Sequence, residues 1–218
     1  MSENTLQYLQ GRGWLVLSGG NVAGSPIRAK ALSRAREYGV TAYISTADDS
    51  GDALLDDMED LGARSGYFID PEYDEPDDII EEMKTASLVI IEVGSSLDSL
   101  YRLLKGPALE GMRQAYERGA VVLVEGLAVN LFGRWIVTDQ GDIIDGFNWI
   151  NNAFIEPQSS GADDSRAVRA VLNEIADAVA INIEAGSAIA LGPDGAVEVW
   201  GEQKQVTISL GRKYIAED

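Results

Sequence analysis

The sequence predicts an α/β fold, namely a three-layer α/β/α sandwich with a mostly parallel central sheet and a C-terminal β-hairpin. Up to Gly133, apolar runs of strand length alternate with stretches of helical length. The strand runs are almost continuously apolar, which is typical of parallel strands covered on both faces. The chain has 218 residues, of which 45% are hydrophobic, so a single domain over residues 1–218 can bury a sizeable core.

Glycines mark the ends of the predicted helices in this first part. Gly39, Gly62 and Gly119 each follow a helical stretch, where a C-cap favours glycine. The predicted strands cover residues 14–18, 41–46, 66–69, 87–93 and 121–125, and the predicted helices cover residues 27–38, 52–61, 77–84, 97–104 and 107–118.

The pattern changes after Gly133. A turn is predicted at residues 139–141, and residues 165–178 have the spacing of an amphipathic helix. The segment SAIALGPDGAVEVWGE predicts a hairpin with PDG at its turn, and QVTISL predicts a last strand.

The composition excludes several kinds of active site. The sequence contains no cysteine, which excludes disulfides, thiolate nucleophiles and cysteine-ligated zinc. It also contains no histidine, which excludes a Ser-His dyad or triad.

The chain is strongly acidic, with 36 acidic and 17 basic residues and a net charge of −19. Such a field repels phosphate backbones, so we expect no nucleic-acid partner. A solvated acidic surface, as in a salt-rich cytoplasm, is the preferred interpretation, and attraction of cationic ligands is the alternative. No apolar run is long enough for a membrane span, and the start MSENTLQYLQGRG lacks the features of a signal peptide. We therefore expect a cytoplasmic protein with no membrane partner.

Three segments resemble one known family. They are LSGGN, VIIEVGSSLDSLYRLLKGPALEGMRQAYERGAVV and INIEAGSAIALGPDGAVEVWGEQKQVTIS. In this order they resemble the cyanophycinase and dipeptidase E family of serine peptidases, which have a class I glutamine-amidotransferase-like fold. The resemblance covers about residues 14–210. Its most specific part is the segment with Gly186, Ser187 and Ala188.

The resemblance implies that the family's catalytic residues are replaced. The nucleophile elbow of the family reads like G-T-S-A-G-A, and the matching EGLAVN places Leu127 at the nucleophile position. The catalytic histidine of D-Q-H-F matches Gln158, and the acidic residue of I-D-E-G-T-A matches Ala185, with Glu184 beside it. Leucine cannot attack a carbonyl, and glutamine cannot accept a proton at neutral pH.

Carboxylates stand at several predicted strand ends, where open α/β sheets bind ligands. Asp48 and Asp49 follow one strand, and Glu92 and Glu125 end two others. The alternative is that these are ordinary polar residues at solvated strand ends. The candidate crevice comprises Glu92, Gly94, Ser95, Glu125, Leu127, Ala128, Gln158 and Glu184.

Glu125 lies on a strand that should be buried, where an unpaired charge is costly. We expect Arg102 or Arg134 to pair with it. A buried ion pair and a ligand site are equally compatible with this position.

The main functional hypothesis is a catalytically inactive homologue with a binding, assembly or regulatory role. Its expected partner is a small molecule, a peptide or a second copy of the chain in a homodimer. It requires no cofactor and no metal. The alternatives are a hydrolase or lyase that uses Glu92, Glu125 and Glu184, in one version with a divalent metal, and a module that binds cationic peptides.

Overall fold

The computed structural model describes residues 6–20, 25–35, 39–45, 50–64, 66–93, 96–138, 140–157, 165–202 and 204–211. The strands are β1 Trp14–Ser18, β2 Val40–Ser45, β3 Gly66–Phe68, β4 Ala86–Val93, β5 Val121–Gly126, β6 Trp135–Val137, β7 Ile143–Asp145, β8 Ala153–Pro157, β9 Val179–Ile183, β10 Ser187–Leu191, β11 Val197–Gly201 and β12 Val206–Leu210. The helices are α1 Pro26–Arg34, α2 Ser50–Asp60, α3 Pro76–Thr85, α4 Leu97–Leu104, α5 Pro107–Glu117 and α6 Arg166–Glu174, with a 3₁₀ helix at Leu127–Phe132.

The central sheet has seven strands in the order β11-β10-β1-β5-β4-β2-β3. From β1 to β3 the neighbours are parallel, whereas β10 and β11 join antiparallel. The predicted α/β sandwich with a mostly parallel sheet is thus confirmed. The C-terminal hairpin is also confirmed, with its turn at Pro193–Gly195.

A second sheet of five strands, in the order β12-β9-β8-β6-β7, was not predicted. The apolar runs of its strands β8 and β9 can be interpreted as strand or as helix, so hydrophobic periodicity alone did not identify them. The helix predicted at residues 165–178 is consequently too long, because α6 ends at Glu174 and β9 begins at Val179.

Alternation along the strands assigns the layers. On β1, Val16 points towards α1 and α2, while Leu15 and Leu17 point to the opposite face. The opposite face packs against α3, α4, α5 and the second sheet, and α6 covers the far side of that sheet. One layer of the sandwich is therefore partly helix and partly sheet.

None of the helices within the described ranges is long and apolar enough to cross a membrane.

Candidate functional site

Strand alternation directs two carboxylates towards the layer of α1 and α2. Val121 and Leu123 of β5 belong to the core beneath these helices, so Glu125, two residues further on, points to the same face. Glu92 stands directly opposite Glu125 on the neighbouring parallel strand β4. The ends of two central strands thus present carboxylates side by side.

Arg28 of α1 lies between these carboxylates and is only 4% exposed. Its Nε donates to Glu125 Oε1 at 3.1 Å and to Oε2 at 3.2 Å, and its Nη2 donates to Oε2 at 2.5 Å. Nη2 also donates to Glu92 Oε1 at 2.9 Å, and Nη1 donates to Asp57 Oδ2 at 2.9 Å. One guanidinium therefore joins carboxylates from β4, β5 and α2. We call these four residues the Arg28 cluster.

The carboxylate partners of Arg28 keep its guanidinium protonated. Burial lowers the pKa of the guanidinium, but the hydrogen bonds and charges of Glu125, Asp57 and Glu92 outweigh burial and raise it above its ordinary value. Arg28 is therefore a permanent cation, and its five donors suit the fork geometry of carboxylates.

The partner expected for Glu125 was wrong. Arg102 donates from Nε to the backbone oxygen of Asp98 at 3.3 Å, and Arg134 Nη2 lies 3.5 Å from Asp145. Arg102 belongs to α4, which packs on the opposite face of the central sheet, and Arg134 precedes β6 of the second sheet, whereas α1 packs directly over β5. The sequence predicted an ion pair at Glu125, but which arginine forms it depends on how the layers pack.

The turn after β5 is made by Gly126. Its φ is 61° and its ψ is −136°, in the region that favours glycine. Among the described residues, a Cβ placed on Gly126 would have no atom within 4 Å beyond its chain neighbours. This is the tip of the strand–turn–helix element.

Leu127 lies one residue beyond that tip, at the start of the 3₁₀ helix. Its side chain is 38% exposed, while the next residue, Ala128, is buried. Asn130 donates from Nδ2 to the Leu127 carbonyl at 3.0 Å and braces the first turn of this helix. Leu127 therefore does not pack as a core side chain.

Glu184 and Ala185 lie in a turn beside the end of β1. Gly19 donates its N–H to the Ser187 carbonyl at 3.1 Å, and Gly186 donates to the Gly20 carbonyl at 2.9 Å. A Cβ on Gly19 would meet the Ile183 carbonyl oxygen at 2.2 Å, so this contact requires glycine. Ala185 is exposed.

Five predicted positions lie outside the described residues, namely Asp48, Asp49, Gly94, Ser95 and Gln158. Of the other crevice residues, the structure joins Glu92 and Glu125 through Arg28, and Gly126 connects Glu125 to Leu127 and Ala128.

Sequence reasoning missed Arg28 and Asp57. A signal for both was present, because each shares a helix face with apolar residues. Arg28 lies three and four positions before Ala31 and Leu32, and Asp57 lies three after Leu54 and four before Leu61. Across the described ranges, no group of three acidic, histidine or cysteine residues is arranged to hold a metal ion.

A second charge cluster lies on the outer side of α1. Glu198 of β11 accepts hydrogen bonds from Lys30 Nζ at 3.0 Å, Arg34 Nη2 at 2.7 Å and Trp200 Nε1 at 2.8 Å. Lys30 Nζ lies 4.5 Å from the Trp200 ring centroid, and the Arg34 guanidinium carbon lies 4.4 Å from that of Trp14. We call this the Glu198 cluster.

The Glu198 cluster stabilises its carboxylate. The hydrogen bond from Trp200 lowers the pKa of Glu198, burial opposes it, and Lys30 and Arg34 lower it further, to about 2. Glu198 is therefore ionised at neutral pH.

Solved structures share this fold. A peptidase from an acI-B1 actinobacterium matches with a TM-score of 0.70 and 15% sequence identity, covering 93% of this chain and 96% of that chain. A candidate peptidase E protein from Listeria monocytogenes EGD-e matches with a TM-score of 0.66 and 14% identity, covering 87% of this chain and 98% of that chain. Neither the family models nor the curated proteins gave a match to this sequence.

Proposed function

We propose that this protein is a catalytically inactive homologue of the peptidase E-like serine peptidases, which keeps the fold for a binding, assembly or regulatory role. The fold likeness to peptidases supplies the starting point. The observation that carries the proposal is the turn at Gly126. In a nucleophile elbow, the nucleophile occupies the sharp turn between strand and helix, and its side chain projects into the open.

Gly126 satisfies this description better than Leu127. It holds the positive φ of 61°, and a Cβ there would meet no atom of the described residues, whereas Leu127 already belongs to the 3₁₀ helix. We infer that Gly126 occupies the nucleophile's backbone position and that the alignment by motif is shifted by one residue. Either assignment leaves no nucleophilic side chain at the turn.

The absence of histidine from the whole sequence supports the same proposal, because a serine elsewhere would have no imidazole to activate it. The Arg28 cluster also supports it. Glu92 and Glu125 each accept hydrogen bonds from Arg28, so these carboxylate oxygens are already engaged in an ion-pair cluster.

The alternative of a carboxylate-based hydrolase or lyase, with or without a divalent metal, makes a different prediction. It expects Glu92, Glu125 and Glu184 to act together. Metal analysis of the purified protein, with melting curves recorded in added Mg²⁺, Mn²⁺ or Zn²⁺, separates the two proposals. A bound stoichiometric metal whose loss abolishes a turnover would favour the alternative.

The catalytic part of the proposal is tested with aspartyl and β-aspartyl dipeptides. We expect no turnover by the purified chain and none by Gly126→Ser, since a new hydroxyl would still lack a base. A turnover that copurifies with the protein through several columns would contradict the proposal.

The geometric part is tested by single cysteines, because the chain has none of its own. Gly126→Cys should react readily with a thiol reagent in the folded protein, while Ala128→Cys, at a buried position, should react only in denaturant. If Gly126→Cys were protected while the protein remained folded, Gly126 would not occupy an open nucleophile position.

A further inference from the structure

A polar cavity of about 460 Å³ lies at the end of the molecule where the parallel strands begin. Its volume falls in the range of roughly 300–1,000 Å³ that small-molecule sites occupy. Arg12 and Arg118, which line it, precede β1 and β5, whereas Gly126 ends β5. A strand rises about 3.3 Å per residue, so the cavity is on the order of 15 Å or more from the Gly126 turn. The remaining lining residues are Glu110, Gln114 and Glu117.

One face of α5 forms most of this lining. The positions 110, 114, 117 and 118 have the spacing of neighbouring residues on one helix face. Gln114 donates from Nε2 to Glu110 Oε1 at 2.9 Å and holds that carboxylate along the helix. Glu110 lies in the first turn of α5, and Arg118 is its C-cap. Because a helix rises about 1.5 Å per residue, their backbones lie about 12 Å apart along the axis.

The segment before β1 brings Arg12 to the last turn of α5. A Cβ on Gly13 would meet the Ala120 carbonyl oxygen at 2.1 Å, so only glycine permits this close approach. A Cβ built on Gly119, the residue after Arg118, would lie 3.8 Å from the Arg12 Cβ. The two arginines therefore come to the same end of the cavity.

The cavity contains as many cations as anions. Arg12, Arg118, Glu110 and Glu117 share the lining, but among these four described residues no ion pair joins opposite charges. Opposite charges that face one cavity without pairing suit a ligand that carries both charges itself. The net charge of −19 repels an anion from a distance, whereas a zwitterion has no net charge.

We propose that this cavity binds a short linear zwitterion, with its carboxylate on Arg12 and Arg118 and its ammonium on Glu110. Guanidinium forks match a carboxylate through paired hydrogen bonds. The separation along α5 requires several bonds between the two charged ends of the ligand. A tripeptide with free termini, which spans about 10 Å when extended, satisfies this requirement. The cavity lies at the opposite end of β5 from the Gly126 turn, so the proposal and the proposed function can fail independently.

The ligand is tested by calorimetric titration of the full chain with Ala-Ala-Ala. We expect saturable binding that weakens as salt rises. N-acetylation removes the ammonium and C-terminal amidation removes the carboxylate, and each should weaken binding about tenfold or more. Glycine, whose two charges are too close to span the cavity, should also bind about tenfold more weakly. Absence of saturable binding, or equal affinity for these four ligands, would overturn the proposal.

The carboxylate end is located by variants of the arginines. Arg12→Gln and Arg118→Gln should each weaken binding of Ala-Ala-Ala about tenfold, because each removes a charged donor. Arg113→Gln is the matched control, since Arg113 is an exposed arginine of α5 outside the lining, and it should leave the affinity unchanged. An equal loss in Arg113→Gln would show general electrostatic attraction and would overturn the proposal.

The ammonium end is located by Glu110→Gln. This variant should weaken binding of Ala-Ala-Ala about tenfold but leave the affinity for the N-acetylated peptide unchanged, because that peptide has no ammonium. Glu110 is exposed, so the substitution should not prevent folding. An equal loss of affinity for both peptides would overturn the proposal.

Discussion

The two charge clusters that involve α1 have opposite arrangements of charge. In the Arg28 cluster, one buried cation holds three carboxylates between the helix layer and the sheet. In the Glu198 cluster, one partly exposed carboxylate holds two cations and an indole N–H. We therefore expect burial, more than the number of ion pairs, to decide how much each cluster contributes to the free energy of unfolding. Removing one member of a buried cluster leaves uncompensated charge, whereas water replaces lost partners at the surface.

The largest expected effect is the loss of Arg28. Arg28→Met should lower the free energy of unfolding by about 3–5 kcal/mol, because Asp57 and Glu125 would remain buried without their cation. Arg34→Met, the matched change in the Glu198 cluster, should cost about 1 kcal/mol. Urea unfolding of both variants measures the difference. Equal losses of unfolding free energy in the two variants would contradict the expected effect of burial.

The turn beside the Arg28 cluster should show a smaller effect. Gly126→Ala meets no atom of the described residues, so its cost comes from the φ of 61° and ψ of −136°, at about 1–3 kcal/mol. Gly62→Ala is the control, since Gly62 has a φ of 90° and equally open surroundings but lies far along the chain at the end of α2. A loss for Gly126→Ala well above that for Gly62→Ala would mean that the Arg28 cluster depends on the exact path of the turn.

The smallest effect concerns the pH dependence of the Glu198 cluster. Because the folded pKa of Glu198 is lowered from 4.5 to about 2, its contribution is present in full above pH 4.5 and is lost as the pH falls towards 2. Glu198→Gln should therefore be less stable than the parent at pH 7, and the gap should narrow between pH 4.5 and pH 2. Thermal unfolding across this range provides the measurement. A difference in thermal stability between Glu198→Gln and the parent that stays constant with pH would indicate that the substitution removes packing and not a charge interaction.

Much of the fold was accessible from the sequence. The apolar runs of β1, β4 and β5 were identified. Gly62 and Gly119 follow α2 and α5 as predicted, whereas α1 ends at Arg34 with Ala35 as its C-cap, and not at Gly39. The second sheet was missed, because the apolar runs of β8 and β9 can be interpreted as strand or as helix until they pack on the first sheet.

The candidate site was likewise only partly predictable from the sequence. Glu125 was identified because a charge on a buried strand is visible in the sequence. Its partner was not, since Arg28 is 97 positions away and reaches it only when α1 packs over β5. The motif alignment placed Leu127 at the nucleophile position, and our proposal that Gly126 takes this position instead rests on the φ and ψ of the turn, which a motif alignment does not contain.

By itself, the sequence excluded catalysis by histidine or cysteine side chains. A chain without histidine or cysteine has neither imidazole nor thiolate to use, whatever its fold. It also determined the α/β class, because hydrophobic periodicity is a local property. Only the tertiary structure decided which cation neutralises Glu125 and which residue makes the turn after β5. The ion pair depends on contacts between residues far apart in the chain, and the cost of a buried charge appears only when the layers come together.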